Sequence, residues 1–183
     1  MRRIALSAGH TNSQGLDNGA PAPGTTEGKE AVIFRDIIKN ALNAQHVKVS
    51  VDPNNSVTGD TVRLFRKYFF GPDVCIDIHF NSSTNKKATG VEAFVPDIAS
   101  GYEKDLAYEL CYTVATCLGI RNRGWQPESK SARRKLFWMT IPCETILLEV
   151  CFASNPDDWV KYSANKYLLG QRLADTIYSY LPL

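Results

Sequence analysis

Short apolar stretches of strand-like composition alternate along this chain with longer stretches of helical periodicity. The strand-like stretches are 4–8, 47–51, 74–80, 90–95 and 145–152, and the helical ones are 27–42, 62–70, 106–118 and 169–177. Parallel strands need a long crossover connection, which is usually a helix, so this alternation is typical of a parallel sheet. The sequence therefore predicts an α/β layered fold, with a largely parallel sheet flanked by helices.

Length and charge limit the kind of protein further. A chain of 183 residues, 44% of them hydrophobic, is long enough for one well-buried core, so we expect a single domain over residues 1–183. The formal net charge of +2 is too small to indicate a nucleic-acid partner. The apolar run at 4–10 is too short for a secretory signal, and no run reaches the length of a membrane span. We therefore expect a protein that is made in the cytoplasm and has no membrane segment.

The cysteines do not form a recognisable pattern of ligands or bridges. Their number is odd and they lie in apolar stretches, at Cys75, Cys111, Cys117, Cys143 and Cys151. Such cysteines are typical of small buried side chains in a reducing compartment. We expect the active protein to need no disulfide.

Two histidines follow strand-like stretches, His10 directly and His79 at the end of 74–80. In a parallel sheet both would emerge at the carboxyl edge, where ligands of open α/β sheets bind. A catalytic zinc site of two histidines and one carboxylate leaves a position for water, and Glu27, at the start of the first long helix, is the candidate third ligand. A single histidine at a strand end is more often an ordinary surface residue, and His46 keeps that interpretation.

Two carboxylates lie inside apolar, strand-like stretches. Burying Glu149 within 146–152 is costly unless the carboxylate is paired, bound to a metal or catalytic. The alternative is an edge strand whose Glu149 faces water. Asp77 shares one strand face with His79, so it could either orient that histidine or bind the metal itself.

The segment 121–135 is basic and predicted to be irregular. Arg133, Arg134 and Lys135 within it are typical of a solvated charged turn. The neighbouring aromatic residues Trp125, Phe137 and Trp138 are typical of packing. Together these side chains could instead form a basic and aromatic wall of a substrate groove.

The order of these motifs resembles the type 3 family of zinc N-acetylmuramoyl-L-alanine amidases, which act on peptidoglycan. The similar motifs are Ser7-Ala8-Gly9-His10, Asp17-Asn18-Gly19-Ala20, Gly24-Thr25-Thr26-Glu27, Ile76-Asp77-Ile78-His79-Phe80-Asn81, Gly90-Val91-Glu92, Arg123-Gly124 and Leu148-Glu149-Val150-Cys151-Phe152-Ala153-Ser154-Asn155-Pro156. Each motif alone is weak, but their joint order along nearly the whole chain is specific. The resemblance implies zinc bound by His10, Glu27 and His79, with Glu149 as the catalytic residue.

Some positions depart from the family pattern. The loop after His10 is longer before Asp17, and extra residues lie between Pro142 and Glu149. Asp77 stands where the family commonly has a small residue. Glu30 lies one helical turn beyond Glu27 and competes with it for the role of ligand, although counting along the helix favours Glu27.

The resemblance implies hydrolysis of the amide between N-acetylmuramic acid and L-alanine. The zinc would activate water and Glu149 would move the proton. A single catalytic domain without an export signal or a separate wall-binding domain is similar to a phage endolysin, released through a holin or carried by a delivery machinery. Two alternatives are a zinc peptidase or deacylase acting on another cell-wall amide, and an inactive peptidoglycan-binding module. Retention of Glu149 argues against the inactive module.

Overall fold

The computed structural model describes residues 2–10, 17–54 and 58–181. Its strands are β1 (Ile4–Ala8), β2 (Pro21–Ala22), β3 (Thr25–Thr26), β4 (Val49–Val51), β5 (Gly71–Asn81), β6 (Val91–Val95), β7 (Asn122–Pro127) and β8 (Cys143–Phe152). Its α-helices are α1 (Glu27–Ala44), α2 (Thr58–Phe65), α3 (Gly101–Leu118) and α4 (Pro156–Tyr180). Two short 3-10 helices occupy Glu128–Lys130 and Phe137–Thr140.

Six strands form the main sheet, in the order β4, β1, β5, β8, β6, β7. The first four run parallel to one another, and β6 pairs antiparallel with β8 and parallel with β7. The predicted layered α/β fold with a largely parallel sheet is confirmed. Because β6 runs the opposite way, its first residues lie at the same edge as the carboxyl ends of β1, β5 and β8.

The two faces of the sheet are covered unequally. Helices α1, α3 and α4 pack on one face, against the side chains of Ile76, Ile78 and Phe80 from β5. The other face carries a smaller cluster built on Cys75, in which α2 and the 3-10 helix at Phe137–Thr140 supply the cover. Since side chains alternate along a strand, Asp77 and His79 point to this thinly covered face.

Capping residues fix where the helices begin. Thr26 caps α1 through its side-chain oxygen, which accepts the backbone N–H of Lys29. Ser100 and Glu103 form a reciprocal capping box at the start of α3. Asn155 caps α4, which has proline at its first turn. These caps place Glu27 at the first turn of α1, directly after the hairpin formed by β2 and β3.

Three details differ from the sequence-based expectations. The segment 121–135, expected to be irregular, contains β7, an edge strand whose polar, partly exposed residues give no apolar alternation. The loop expected over 9–26 contains the β2–β3 hairpin, whose two-residue strands are too short to show a period in the sequence. Residues 11–16 of that loop lie outside the described part of the chain. The helix expected over 62–70 begins at Thr58 and ends at Phe65, followed by a hydrogen-bonded turn.

Two further expectations concern membranes and thiols. Among the described residues, no helix is long and apolar enough to cross a membrane. All five cysteines are free thiols, and Cys75, Cys111 and Cys151 are buried.

Candidate active site

Three side chains of metal-binding type meet at the carboxyl edge of the sheet. His10 follows β1, Glu27 opens α1 and His79 lies near the end of β5. One ligand atom from each of the three lies within 4.8 Å of the others. Glu27 Oε1 lies 3.1 Å from His79 Nδ1 and 3.4 Å from His10 Nε2. The structure thus brings together the three residues predicted from the sequence, in an arrangement that could hold a metal ion.

The carboxylate of Glu27 is fixed by the backbone on both of its oxygens. Oε1 accepts the N–H of Phe80 at 3.1 Å, and Oε2 accepts the N–H of Ala20 at 2.8 Å. The residue is only 4% exposed. No lysine or arginine of the described chain forms an ion pair with it, so two imidazoles are its only cationic or potentially cationic partners.

The electrostatics of this cluster favour positive charge. Burial by itself would raise the pKa of Glu27, but the hydrogen bond to His79, the charges of both histidines and the Ala20 amide hold that pKa below its ordinary value. Burial by itself would lower the pKa of His79, but Asp77, Glu27 and Glu149 raise it well above the ordinary value. A divalent cation would experience the same negative field.

Each histidine has a carboxylate on the side of the ring away from Glu27. His10 Nδ1 lies 2.9 Å from Asp17 Oδ2, and His79 Nε2 lies 3.0 Å from Asp77 Oδ2. The remaining nitrogens, Nε2 of His10 and Nδ1 of His79, face Glu27. The Asp77–His79 contact has hydrogen-bond geometry, whereas Asp17, which the sequence did not identify, lies close to His10 Nδ1 without such geometry.

Two glycines allow the rings to lie where they do. A Cβ atom on Gly9 would be 1.9 Å from Nε2 of His79, inside the imidazole. A Cβ on Gly19, where φ is +67°, would be 2.5 Å from Glu27 Oε2 and 2.7 Å from Cδ2 of His10. The backbone of the site therefore packs directly on its ligands.

Glu149 lies beside His79, because the two residues are partners in the parallel pairing of β5 with β8. Strand β8 is an interior strand between β5 and β6, so the edge-strand alternative is wrong. The Oε2 atom of Glu149 is buried and has no hydrogen-bond partner in the part of the chain that the structure describes. Burial, helped by the charges of Glu27, Glu92 and Asp77 and opposed by His79, raises the pKa of Glu149 to about 8.

Glu92, Asn81 and Arg123 form a hydrogen-bonded group opposite Glu149, which the sequence did not predict. Glu92 of β6 is its antiparallel partner. The carboxylate of Glu92 accepts the side-chain N–H of Asn81 through Oε1 and Nε–H of Arg123 through Oε2, the latter at 2.9 Å. The motifs containing these residues were noted in sequence, but their contact depends on strand pairing between distant segments.

The cluster opens into a groove of about 1100 Å³. Apart from His10, Glu27 and His79, which we call the metal-type cluster, the lining of the groove includes Lys130, Arg133, Lys135, Phe137 and Trp138. The groove therefore has a basic wall beside the exposed ring of Phe137, whereas Trp138 is 1% exposed and packs on Phe65, as expected for a packing residue. Trp125 is not part of the lining, and the Lys104 ammonium lies 6.0 Å from its ring centre.

Glu30 has a different environment from Glu27. Its Oε1 accepts the hydroxyl of Tyr162 at 3.0 Å and the ammonium of Lys166 at 2.8 Å. Both partners belong to α4. Glu30 therefore ties two helices together and is not part of the metal-type cluster.

Comparison with known proteins identifies the class. Residues 4–179 match the N-acetylmuramoyl-L-alanine amidase family, and the chain belongs to that family. No curated protein sequence matches this chain.

Several solved structures share the fold. The putative N-acetylmuramoyl-L-alanine amidase of Neisseria meningitidis is 27% identical, with a TM-score of 0.78, and 98% of this chain aligns with 96% of that one. The N-acetylmuramoyl-L-alanine amidase of Clostridium difficile 630 is 22% identical, with a TM-score of 0.79 and the same coverage. The catalytic domain of the amidase CwlV from Bacillus (Paenibacillus) polymyxa is 19% identical, with a TM-score of 0.80 over 99% of this chain and 98% of that one. The protein is an amide hydrolase of the peptidoglycan-cleaving class.

Proposed function

We propose that this amidase is zinc-dependent, with His10, Glu27 and His79 as the ligands and Glu149 as the catalytic residue. The observation that carries the proposal is the convergence of two imidazole nitrogens on a buried carboxylate that has no lysine or arginine partner among the described residues. Two nitrogens and one oxygen are the donor set of a catalytic zinc site with an open position. Zinc bound there supplies a water acidic enough to react near neutral pH and a positive charge for the carbonyl oxygen.

Glu149 is placed to move the proton. Its unpartnered Oε2 accepts a proton from the attacking water and returns it to the nitrogen that leaves. Burial raises the pKa of Glu149 to about 8 in the metal-free protein, and a dication bound at His79 would favour the carboxylate form that can take the proton. An inactive binding module would not need a carboxylate at this position of an interior strand.

The groove supports a peptide substrate that carries negative charge. Lys130, Arg133 and Lys135 line it, and no carboxylate of the described chain lies within ion-pair distance of these three cations. Stem peptides of peptidoglycan carry carboxylates that such a wall attracts. We infer that the stem lies along this wall, with the amide between the lactyl group of N-acetylmuramic acid and L-alanine at the metal.

The products of digestion test the proposed reaction. We expect purified peptidoglycan to yield intact stem peptides that begin with L-alanine, with no new reducing sugar ends, and we expect chelation to stop the release. End-group labelling and mass spectrometry of the fragments identify the bond. Fragments cut inside the stem would replace the amidase with a zinc peptidase, and new reducing ends would contradict both.

Glu149→Gln separates metal binding from chemistry. The change keeps the size of the side chain and removes the proton acceptor, so turnover should fall on the order of a hundredfold or more while zinc content stays the same. His10→Ala and His79→Ala should instead lose zinc. Near-normal turnover by zinc-loaded Glu149→Gln would mean that another group moves the proton.

A role in lysis, with release through a holin or another delivery machinery, stays a prediction of the sequence. Expression in a bacterial host with and without a holin tests it. Lysis that requires the holin is expected, and lysis without one would contradict the prediction.

A further inference from the structure

We propose that Asp77 is a positioning residue of the metal site, whose carboxylate holds the proton of His79 on Nε2 and so directs the Nδ1 lone pair at the metal. The proposal rests on the proposed function, because it requires His79 to bind a metal. Family resemblance does not supply it, since Asp77 stands where the family commonly has a small residue.

The contacts of the His79 ring indicate which nitrogen carries the proton and which one carries the lone pair. His79 Nε2 lies 3.0 Å from Asp77 Oδ2, and Nδ1 lies 3.1 Å from Glu27 Oε1. A neutral imidazole has one N–H donor and one lone pair, and only the nitrogen with the lone pair can bind a metal. Because Asp77 is an acceptor, it favours the N–H on Nε2 and leaves the lone pair on Nδ1.

The surroundings prevent Asp77 and the ring from moving apart. Asp77 is 1% exposed, in an interior strand where it pairs with Ser7 of β1 and Leu147 of β8. The backbone of Gly9 lies so close to the imidazole of His79 that it leaves no room for a Cβ. The ring is therefore confined between Gly9 and two carboxylates.

Charge distinguishes this role from an ordinary structural one. No lysine or arginine in the described ranges pairs with Asp77, and its Oδ1 is buried without a hydrogen-bond partner. A buried carboxylate without a cation is costly to retain. An imidazole that carries a dication on its far side offsets that cost, and carboxylates that orient ligating histidines in this way strengthen metal binding.

The same geometry excludes Asp77 as a fourth ligand of this ion. Its carboxylate faces the ring edge opposite the one that meets Glu27, and the group of atoms within 4.8 Å of one another consists of His10, Glu27 and His79. Asp77 therefore acts through His79.

Zinc affinity and the protonation of the ring test the proposal. Competition with a chelator should show about 10- to 100-fold weaker zinc binding for Asp77→Ser, and a smaller loss for Asp77→Asn, whose amide oxygen still accepts from Nε2. Heteronuclear NMR of the zinc-loaded protein should place the proton on Nε2 of His79 in the wild type and a mixture of both forms in Asp77→Ser. Asp73→Asn is the matched control, because Asp73 lies on the same strand and binds Arg3 away from the site.

The outcomes separate this proposal from the proposed function. Wild-type zinc affinity and a uniform Nε2 proton in Asp77→Ser would overturn the positioning role, as would equal losses in Asp77→Ser and Asp73→Asn. If Asp77→Ser does not fold, unchanged affinity in Asp77→Asn together with a ring that binds through Nε2 would also overturn it. A wild-type protein that binds zinc but releases no stem peptides contradicts only the proposed reaction, and one that binds no zinc contradicts both.

Discussion

Glu27 and Glu30 lie one turn apart on the same helix and are almost equally buried, at 4% and 6% exposure. Their partners differ. Glu30 contacts a lysine ammonium and a tyrosine hydroxyl from α4. Glu27 contacts two imidazoles and two backbone amides, and no lysine or arginine of the described chain forms an ion pair with it.

The difference shows how to recognise a functional carboxylate in a buried position. Removing a carboxylate from water is costly unless a cation or several hydrogen bonds replace the water. Glu30 forms an ion pair with Lys166, which offsets the cost of burying its carboxylate. Glu27 has two backbone N–H donors, and its two imidazoles supply positive charge only when they are protonated or share a metal ion with it. The proposed zinc ion would be shared by Glu27 and both imidazoles and would supply the missing positive charge.

The largest effect that sharpens this comparison should come from Gly9→Ala. The added Cβ would occupy the position of the His79 ring, so that the imidazole of His79 must move away from Glu27. We expect zinc affinity to fall by about 100-fold or more, as for loss of a ligand. Gly101→Ala is the control, because no atom from outside its own stretch of helix lies within 4 Å of the added Cβ there. Normal zinc binding by Gly9→Ala would show that the ring is not confined as described.

A smaller effect should appear in the pH dependence of stability of the metal-free protein. The pKa of Glu149 in the folded protein is raised from 4.5 to about 8, so the folded state holds this proton more tightly than the unfolded state. The free energy of unfolding should therefore fall as the pH rises from about 4.5 to about 8, by an amount on the order of 5 kcal/mol from this group.

Glu149→Gln isolates that contribution, because its side chain does not ionise. Denaturant unfolding of the two metal-free proteins should give a difference that grows with pH, the variant being the more stable at pH 8 and above. Zinc should reduce the difference, since a dication favours the carboxylate. A difference independent of pH would contradict the environment described for Glu149.

The smallest effect concerns the groove. Arg133→Gln removes one cation from the lining, so kcat/KM for peptidoglycan fragments should fall about 3- to 10-fold, chiefly through KM, and depend less on salt. Arg134→Gln is the control, because this neighbouring exposed arginine is not part of the lining. Equal losses in both variants would indicate a general effect of net charge instead of a contact along the groove.

The sequence predicted the metal-type cluster because each of its residues stands at the end of a strand or the start of a helix. Local periodicity placed those positions, and the resemblance to the amidase family implied that the three residues bind one metal. Strand β7 was missed because a polar edge strand has no apolar alternation. The neighbours of Glu149 were missed for another reason: the pairing of β8 with β5 and β6 joins segments far apart in the chain.

Asp77 shows the limit of sequence interpretation at one residue. Its alternation with His79 along the strand predicted that both share a face, and the structure confirms this. Whether Asp77 orients the histidine or binds the metal could not follow from alternation, because the answer depends on which ring edge faces Glu27 from another element. The proximity of Asp17 to His10 could not be predicted either, because it depends on where the folded chain places Asp17 relative to β1.

The most direct test of the central claim is zinc content in Glu27→Gln and Glu30→Gln, measured on purified, folded protein. Both changes keep the size of the side chain on the same helix. The account predicts about one zinc per chain in the wild type and in Glu30→Gln, which should lose about 1–3 kcal/mol of stability by leaving Lys166 unpaired, and little or no zinc in Glu27→Gln. Full zinc content in Glu27→Gln, or its loss in Glu30→Gln, would contradict the account.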